Sequence, residues 1–300
     1  MFIMSETPAR CNFKCEYCYV PDGHPNRNNH KTVTAEDYLK LARRFGDGPH
    51  LFWMCAIGET FMQPHIFECF EQLSVDHRIV AVSNLSYFGN DVPEQLRELP
   101  TTQHMGVYWS LHMNEMTKRD VLYKAMARAE KMLSAGVRIW PTIVCHPSYA
   151  DAIPTAVQLT SDLGLKLIMC RYRVGGCGDI DDQFQEHIHE TYREDSRVDF
   201  CLWSLTQYTK EVRGGICDAG VKQVIVDHDW NLCSCHGDMN KTVYGSFPED
   251  IDNVPVVPVG RCASRNCPCK HSVMYGVNRK FPFTFANILV GWDSFMGKPL

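Results

Sequence analysis

Three cysteines near the start of the chain have the spacing of a metal-cluster ligand set. Cys11, Cys15 and Cys18 lie in the run Cys-Asn-Phe-Lys-Cys-Glu-Tyr-Cys-Tyr, a C-x3-C-x2-C pattern. Three thiolates this close in sequence can hold one face of a cubane iron–sulfur cluster and leave the fourth iron open to an outside molecule. A full set of four cysteine ligands suits electron transfer or structure, so the trio predicts cluster chemistry on a small molecule. A zinc knuckle is the alternative, although zinc sites more often pair C-x2-C groups.

The residues resemble the signature of the radical S-adenosylmethionine (SAM) superfamily, in which an aromatic residue precedes the third cysteine. That residue is Tyr17 here. The resemblance implies that the open iron of a [4Fe-4S] cluster binds the amino and carboxylate groups of SAM. It also implies reductive cleavage of SAM to a 5′-deoxyadenosyl radical, which takes a hydrogen atom from a substrate. The cofactors supply the difficult chemistry, and the protein supplies positioning.

Alternating strand and helix patterns over roughly the first 175 residues predict an α/β fold with a parallel sheet. Strands are predicted at residues 2–5, 51–55, 78–83, 105–111, 138–144 and 166–172. Thr34 begins a helix with a capping box. Residues 116–135 are predicted to form the longest helix, ended by Gly136. The family resemblance implies a partial (β/α)6 barrel with its site at the carboxyl ends of the strands.

Polar residues follow several predicted strands, where a barrel presents its site. Gly58 and Glu59 come after the second strand and resemble the family's Gly-Gly-Glu motif, with Ile57 in place of one glycine. Ser83 and Asn84 follow the third strand, and Ser110 follows the fourth; they look like the family's ribose and carboxylate contacts. With Tyr17, these residues are expected to bind SAM.

Other strand-end residues leave alternatives open. His112 and His146 can reach substrate or cap a helix. Arg171 and Arg173 can bind the methionine carboxylate or an anionic substrate, or form ion pairs with helix carboxylates. Trp109 is expected to line the pocket. Isolated cysteines elsewhere in the first 201 residues are expected to be core residues.

A second group of cysteines occupies the last third of the chain. Cys217 precedes a predicted strand at residues 222–229, and a turn at Trp230 leads to Cys235. This resembles the Twitch or SPASM extension of the same superfamily and implies an auxiliary [4Fe-4S] cluster, although Trp230 stands where the pattern has glycine. The expected ligands are Cys217, Cys235 and two of Cys262, Cys267 and Cys269. Zinc is the alternative metal.

Three regions are expected: a barrel core at residues 1–178, a helical connection at 179–212, and a Twitch/SPASM-like auxiliary iron–sulfur domain with a tail at 213–300. A helix leaving the barrel is predicted at residues 179–195. The composition, with 45 % apolar and 22 % charged residues, excludes wholesale disorder.

Bulk properties also limit the partners. The formal net charge of −5 gives no overall basic field, so nucleic acid is an unlikely partner. No apolar run is long enough for a membrane span, and no signal peptide fits before Cys11. The 15 cysteines with ligand-like spacing are typical of a reducing cytoplasm. The expected electron donor is external, such as flavodoxin or ferredoxin.

The resulting hypothesis is a radical SAM enzyme that oxidises or rearranges a small polar metabolite, such as a sugar, aminocyclitol or nucleotide. Peptide modification ranks second, because many peptide-modifying relatives carry an N-terminal leader-binding domain for which a motif starting at Cys11 leaves no room. Nucleobase modification and a non-catalytic iron–sulfur or zinc redox protein are the remaining alternatives.

Overall fold

A computed structural model describes residues 1–18, 31–86, 101–171, 182–200, 215–235, 242–258 and 260–261. Six parallel strands form the centre of one sheet, in the order of the chain. They are β1 (Phe2–Ser5), β2 (Leu51–Met54), β3 (Arg78–Ser83), β4 (Met105–Ser110), β5 (Arg138–Cys145) and β6 (Leu167–Arg171). These bounds agree with the predicted strands to within one residue at each end, and the α/β class with a parallel sheet is confirmed.

Helices follow the strands and cover one face of the sheet. They are α1 (Ala35–Arg43), α2 (Ile66–Leu73), α3 (Met113–Lys118), α4 (Leu122–Ser134), α5 (Ile153–Asp162) and α6 (Asp182–Tyr192). Alternate strand residues such as Ile3, Phe52 and Val107 pack with apolar helix residues in one continuous core. The capping box of α1 is confirmed, because Thr34 and Asp37 exchange side-chain and backbone hydrogen bonds.

The single helix predicted at residues 116–135 is wrong, because the segment forms two helices. The chain turns at Asp120, whose φ of +53° ends α3 before α4 begins at Leu122. Aspartate is one of the few residue types besides glycine that adopt this left-handed conformation at low cost. The predicted end at Gly136 agrees with its φ of +91°. The break leaves α3 as a separate short helix directly after β4.

The other face of the sheet carries large aromatic side chains. The rings of Trp53 on β2 and Tyr108 on β4 lie 5.6 Å apart, and the Tyr108 hydroxyl contacts Cys170 Sγ on β6 at 3.5 Å. These contacts join strands that are not neighbours, which indicates that the sheet curves toward this face. The expectation that Trp109 lines the pocket is wrong. Its position puts it on the helix-covered face, where it is fully buried.

The C-terminal third adds strands to the same sheet. Beyond β6 lies β7 (Val198–Asp199), and at the opposite edge β9 (Gln223–Val226) pairs in parallel with β1. The antiparallel strands β10 (Asn231–Cys233) and β11 (Val243–Ser246) follow β9 outward. A separate two-stranded sheet joins β8 (Ile216–Cys217) to β12 (Gly260–Arg261). Both predicted domain boundaries fall outside the described residues and stay predictions.

None of the helices in the described ranges is long and apolar enough to span a bilayer.

Candidate cluster and cofactor site

The three N-terminal cysteines lie in the loop after β1, called here the cluster loop (residues 9–18). Cys11 and Cys15 are half-buried and Cys18 is exposed. The Cys18 N–H donates to the Cys15 carbonyl (3.0 Å), which turns the loop back on itself. Burial and the nearby charges of Cys11 and Cys18 raise the pKa of Cys15 to about 12. Cys11 and Cys18 therefore lie near enough for their charges to act on the Cys15 thiol.

The donor set fits an iron–sulfur cluster. Cys11, Cys15 and Cys18 offer three soft thiolate ligands on one loop, and thiolates are the ligands that iron–sulfur clusters take. Coordination also deprotonates a thiol outright, which overcomes the raised pKa of Cys15.

The loop after β2 packs directly on the cluster loop. Three backbone hydrogen bonds join this region to the chain leaving β1: Cys55 N–H to Ser5 O (2.7 Å), Ile57 N–H to Thr7 O (3.2 Å) and Glu59 N–H to Arg10 O (2.9 Å). A Cβ atom on Gly58 would lie 2.1 Å from the Ala9 carbonyl oxygen. Only glycine fits this approach. Ile57, at the family's other glycine position, is buried with 4 % exposure.

The Glu59 carboxylate joins the end of β2 to the end of β3. It is 1 % exposed and accepts hydrogen bonds from Ser83 Oγ (2.6 Å), Asn84 N–H (2.8 Å) and Phe61 N–H (3.1 Å). Burial raises the pKa of Glu59 to about 7, against the lowering effect of these three donors. The structure thus brings Glu59, Ser83 and Asn84 into one polar group.

A second set of hydrogen bonds extends this group to the cluster loop. Asn84 Nδ2 donates to Asn12 Oδ1 (2.9 Å), and Asn12 Nδ2 donates to Ser86 Oγ (2.7 Å). Arg128 on α4 donates to the backbone carbonyl oxygens of Leu85 and Ser86 at 3.1 Å and 3.0 Å. Asn12, which follows Cys11 directly, therefore ties the cysteine motif to the end of β3.

Tyr17 lies at the centre of an aromatic cluster on the ends of β4 and β5. Its hydroxyl is hydrogen-bonded to His112 Nδ1, and its ring packs against His146 and Tyr149 at centroid distances of 5.8 Å and 5.0 Å. Burial lowers the pKa of His112 to about 4, so its ring is neutral at physiological pH. His146 caps the turn after β5 by accepting from Ser148 N–H, whereas His112 makes no side-chain cap.

Ser110 and Arg171 occupy opposite faces of the sheet. Ser110 ends β4 on the face that carries Tyr108. Arg171 pairs in register with Cys145, on the helix-covered face, and forms an ion pair with Asp182 of α6 (3.1 Å). The structure therefore shows the helix-carboxylate pair that the sequence left open for Arg171, and it does not bring Arg171 to the cluster loop. Arg173 lies outside the described residues.

The sequence reasoning missed three residues that hold the cluster loop. Besides Asn12, these are Glu115 on α3 and Arg119 at its end. The sequence signal for this pair is an acidic residue followed four positions later by a basic one, after the end of a strand. This spacing is common on exposed helices, so it does not point to a site.

Three of the C-terminal cysteines, Cys217, Cys233 and Cys235, lie among the described residues. Cys217 and Cys235 are both buried, with 7 % and 9 % exposure. Cys217 pairs with Gly260 in the sheet formed by β8 and β12. Gly260 lies two residues before Cys262 in the sequence. Cys262, Cys267 and Cys269 lie outside the described residues. Of the cysteines expected in the core, Cys69, Cys145 and Cys170 are buried and Cys55 is half-buried.

Comparison with known families gives a match to one model, described as the radical SAM superfamily, over residues 5–190. No curated protein matches the chain.

Solved structures share the fold. The structure titled native anSMEcpe with bound AdoMet has a TM-score of 0.58 at 15 % identity, covering 84 % of this chain and 80 % of that chain. SuiB of Streptococcus suis has a TM-score of 0.54 at 15 % identity, and its complex with precursor peptide SuiA has 0.55 at 17 %. The match covers 84 % of this chain but 64 % and 63 % of those two SuiB chains.

Proposed function

Because the chain belongs to the radical SAM superfamily, we propose that Cys11, Cys15 and Cys18 hold the catalytic cluster and that the neighbouring strand ends bind SAM. Family membership makes the chain an enzyme and implies a four-iron cluster and SAM. When bound, the cluster supplies the electron that cleaves SAM to the 5′-deoxyadenosyl radical, which abstracts hydrogen from the substrate.

One observation carries this proposal: the cysteine motif is hydrogen-bonded to the ends of both β2 and β3. The Glu59 N–H donates a hydrogen bond to the Arg10 carbonyl in the cluster loop, and the Glu59 carboxylate accepts hydrogen bonds from Ser83 and Asn84. Parallel strands present their carboxyl ends at one edge, where ligands bind in sheets of this kind. A cofactor that spans a cluster and these strand ends therefore meets backbone and side-chain groups that are already fixed.

We assign Glu59 to the methionine ammonium of SAM, because one of its two oxygens has spare capacity. Its Oε1 accepts two bonds, while Oε2 accepts only one. A carboxylate offers about four acceptor positions, so one remains for a charged donor. Gly58, Ser83, Asn84, Ser110 and Tyr17 are proposed to hold the rest of SAM. No role toward SAM is proposed for Arg171.

The C-terminal region is proposed to be a Twitch/SPASM-like domain with an auxiliary four-iron cluster, spanning residues 213–300 after a connection at 179–212. Two buried cysteines, Cys217 and Cys235, support it, and β12 ends one residue before Cys262. Two ligands from the trio Cys262, Cys267 and Cys269 would complete the set. An auxiliary cluster can accept the substrate electron, which would make the net reaction an oxidation. By resemblance to Twitch enzymes, oxidation or redox-neutral rearrangement of a small polar metabolite is the proposed reaction.

Peptide modification is the second candidate. The structural neighbours include SuiB bound to precursor peptide SuiA and anSMEcpe bound to a Cp18Cys peptide. At 17 % and 15 % identity these neighbours indicate a shared fold alone, so a peptide substrate is kept as the alternative to a small metabolite.

The substrate class is tested by hydrogen transfer. Reconstituted protein is incubated anaerobically with reductant, SAM and deuterated candidates: a sugar, an aminocyclitol, a nucleoside, and a peptide mixture. Deuterium in 5′-deoxyadenosine from a metabolite supports the first proposal, while deuterium from peptides alone supports the second. A Cys15→Ala control should transfer none in either case.

Iron and sulfide content tests the cofactor complement. Wild-type protein should hold about eight irons per chain, and alanine at Cys11, Cys15 and Cys18 should reduce this to about four. About four irons falling to none, with zinc bound, would contradict the auxiliary cluster and make the C-terminal region structural.

A further inference from the structure

A buried carboxylate on α3 contacts the backbone of the cluster loop. Glu115 is 7 % exposed, and its Oε2 accepts a hydrogen bond from the Lys14 N–H at 3.3 Å. Lys14 lies between Cys11 and Cys15, so this bond holds the loop at the point where it separates the first two thiols. Hydrogen bonds to an ionised acceptor are stronger than those between neutral groups.

Arg119 strengthens the same attachment from the end of α3. Its Nε donates to Glu115 Oε2 at 2.9 Å, and its guanidinium carbon lies 5.7 Å from the centre of the Phe13 ring. A cation this close to an aromatic face is attracted to it. Because Phe13 is itself buried in the cluster loop, the pair Glu115–Arg119 holds both the backbone and a side chain of that loop.

The charge of Glu115 reaches the cysteines. Burial alone would raise the pKa of Glu115, but the hydrogen bonds from Arg119 and the Lys14 backbone outweigh it and hold that pKa below its ordinary value. The carboxylate is therefore ionised at neutral pH. Its Oε2 lies 3.3 Å from the backbone nitrogen of Lys14, the residue next to Cys15, so its charge acts close to a ligand thiolate.

We propose that Glu115 is a positioning residue that fixes the cluster loop on α3 and, through its charge, lowers the reduction potential of the cluster. The inference rests on the proposed function, because it takes Cys11, Cys15 and Cys18 as cluster ligands. Reduction adds negative charge beside this carboxylate, which disfavours the reduced state. The reduced cluster is then a stronger electron donor. Arg119 acts in the opposite direction, since its positive charge favours reduction.

Redox titration of the reconstituted protein at pH 8 without SAM, followed by electron paramagnetic resonance, tests the sign of both effects. Glu115→Gln keeps an acceptor oxygen and removes the charge, so the potential should rise. Arg119→Met keeps an apolar stem on Phe13 and removes the opposite charge, so the potential should fall. Glu130→Gln, an exposed carboxylate on α4, should match the wild type. A merely structural contact would not shift the two variants in opposite directions.

Equal potentials in all four proteins, or shifts of the same sign, would overturn the electrostatic role. Hydrogen exchange of the metal-free protein tests positioning separately: a peptide covering residues 11–18 should exchange faster in Glu115→Ala than in wild type or Glu130→Ala. Unchanged exchange would overturn the positioning role. If the wild type bound no cluster at these cysteines, the proposed function would fail instead, and the two failures are thereby distinguished.

Discussion

Gly58 has the strictest steric requirement of the proposed site residues. A Cβ there would lie 2.1 Å and 2.8 Å from the carbonyl oxygens of Ala9 and Arg10, which are backbone atoms that cannot rotate away. Gly58→Ala must therefore push the cluster loop off the end of β2.

We expect Gly58→Ala to bind less iron on anaerobic reconstitution and to lose about 2 kcal/mol of unfolding free energy, the usual range for overpacking. Iron content and guanidinium unfolding measure the two effects. Gly164→Ala is the matched control, because Gly164 has open space around it and a φ of +71°. It should lose about 1 kcal/mol through backbone strain alone and keep its iron. Full iron content in Gly58→Ala would contradict the packing described for this loop.

Glu59 should make stability depend on pH. Its pKa is about 7 in the folded protein against an ordinary value of 4.5, so the folded state keeps a proton that the unfolded state has lost between those values. The contribution of Glu59 to the unfolding free energy should then fall by on the order of 3 kcal/mol as pH rises from about 5 to about 8. Burial lowers the pKa of His50 and His112 to about 4, which acts in the opposite direction below about pH 6.5, so the Glu59 contribution is measured as the difference between wild type and Glu59→Gln. Urea unfolding across this range measures the slope.

The difference in unfolding free energy between wild type and Glu59→Gln should fall over this pH range, whereas the difference between wild type and Glu130→Gln should stay constant, because the Glu130 side chain is exposed. A constant difference between wild type and Glu59→Gln would contradict the raised pKa of Glu59.

Several site residues could be predicted from the sequence because recognisable motifs directly follow the predicted strands. Cys11, Glu59 and Asn84 follow recognisable strands, and the structure brings their loops together. The Glu115–Arg119 pair was not predictable. Its function depends on the break at Asp120, which separates α3 from α4 and which a periodic apolar pattern running through the segment conceals.

The turn between β9 and β10 uses tryptophan where the Twitch/SPASM pattern has glycine. Trp230 has a φ of +64°, the left-handed conformation that glycine adopts without strain, and its side chain is 1 % exposed. The turn therefore forms with tryptophan in the left-handed conformation.

Restoring the glycine should destabilise the protein. Trp230→Gly relieves about 1–2 kcal/mol of backbone strain but loses the packing of a buried tryptophan, about 3–5 kcal/mol. The net loss should be about 2 kcal/mol in guanidinium unfolding. Trp230→Ala loses the same packing while keeping the strain, so it should be about 1 kcal/mol less stable than Trp230→Gly. A variant Trp230→Gly more stable than wild type would contradict the packing account.

The order of the core strands could be predicted from the sequence, while the attachment of the C-terminal third could not. Alternating strand and helix patterns predict the order of β1 to β6, because successive strands of such units usually lie side by side. The pairing of β9 with β1 joins residues more than 200 positions apart, and no local period encodes it. The result is that the strand leading into the cluster loop has partners on both sides.

We expect the two cysteine groups to have separable roles, the N-terminal group in SAM cleavage and the C-terminal group in a later step. Cys235→Ala should lose about half of the bound iron while SAM cleavage continues without product, since the auxiliary cluster is proposed to act after hydrogen abstraction. Iron analysis together with deoxyadenosine and product assays checks this. Normal product formation by Cys235→Ala would exclude a role for an auxiliary cluster in turnover.

The proposed function requires that a cluster held by Cys11, Cys15 and Cys18 cleaves SAM reductively. The most direct measurement is 5′-deoxyadenosine formed by anaerobically reconstituted protein with reductant and SAM, compared between wild type, Cys15→Ala and Cys69→Ala. Cys69 is buried among core side chains at the α1–α2 side of the sheet and serves as the matched cysteine. The account predicts deoxyadenosine from wild type and Cys69→Ala and none from Cys15→Ala. No deoxyadenosine from iron-loaded wild type, or equal amounts from all three proteins, would contradict it.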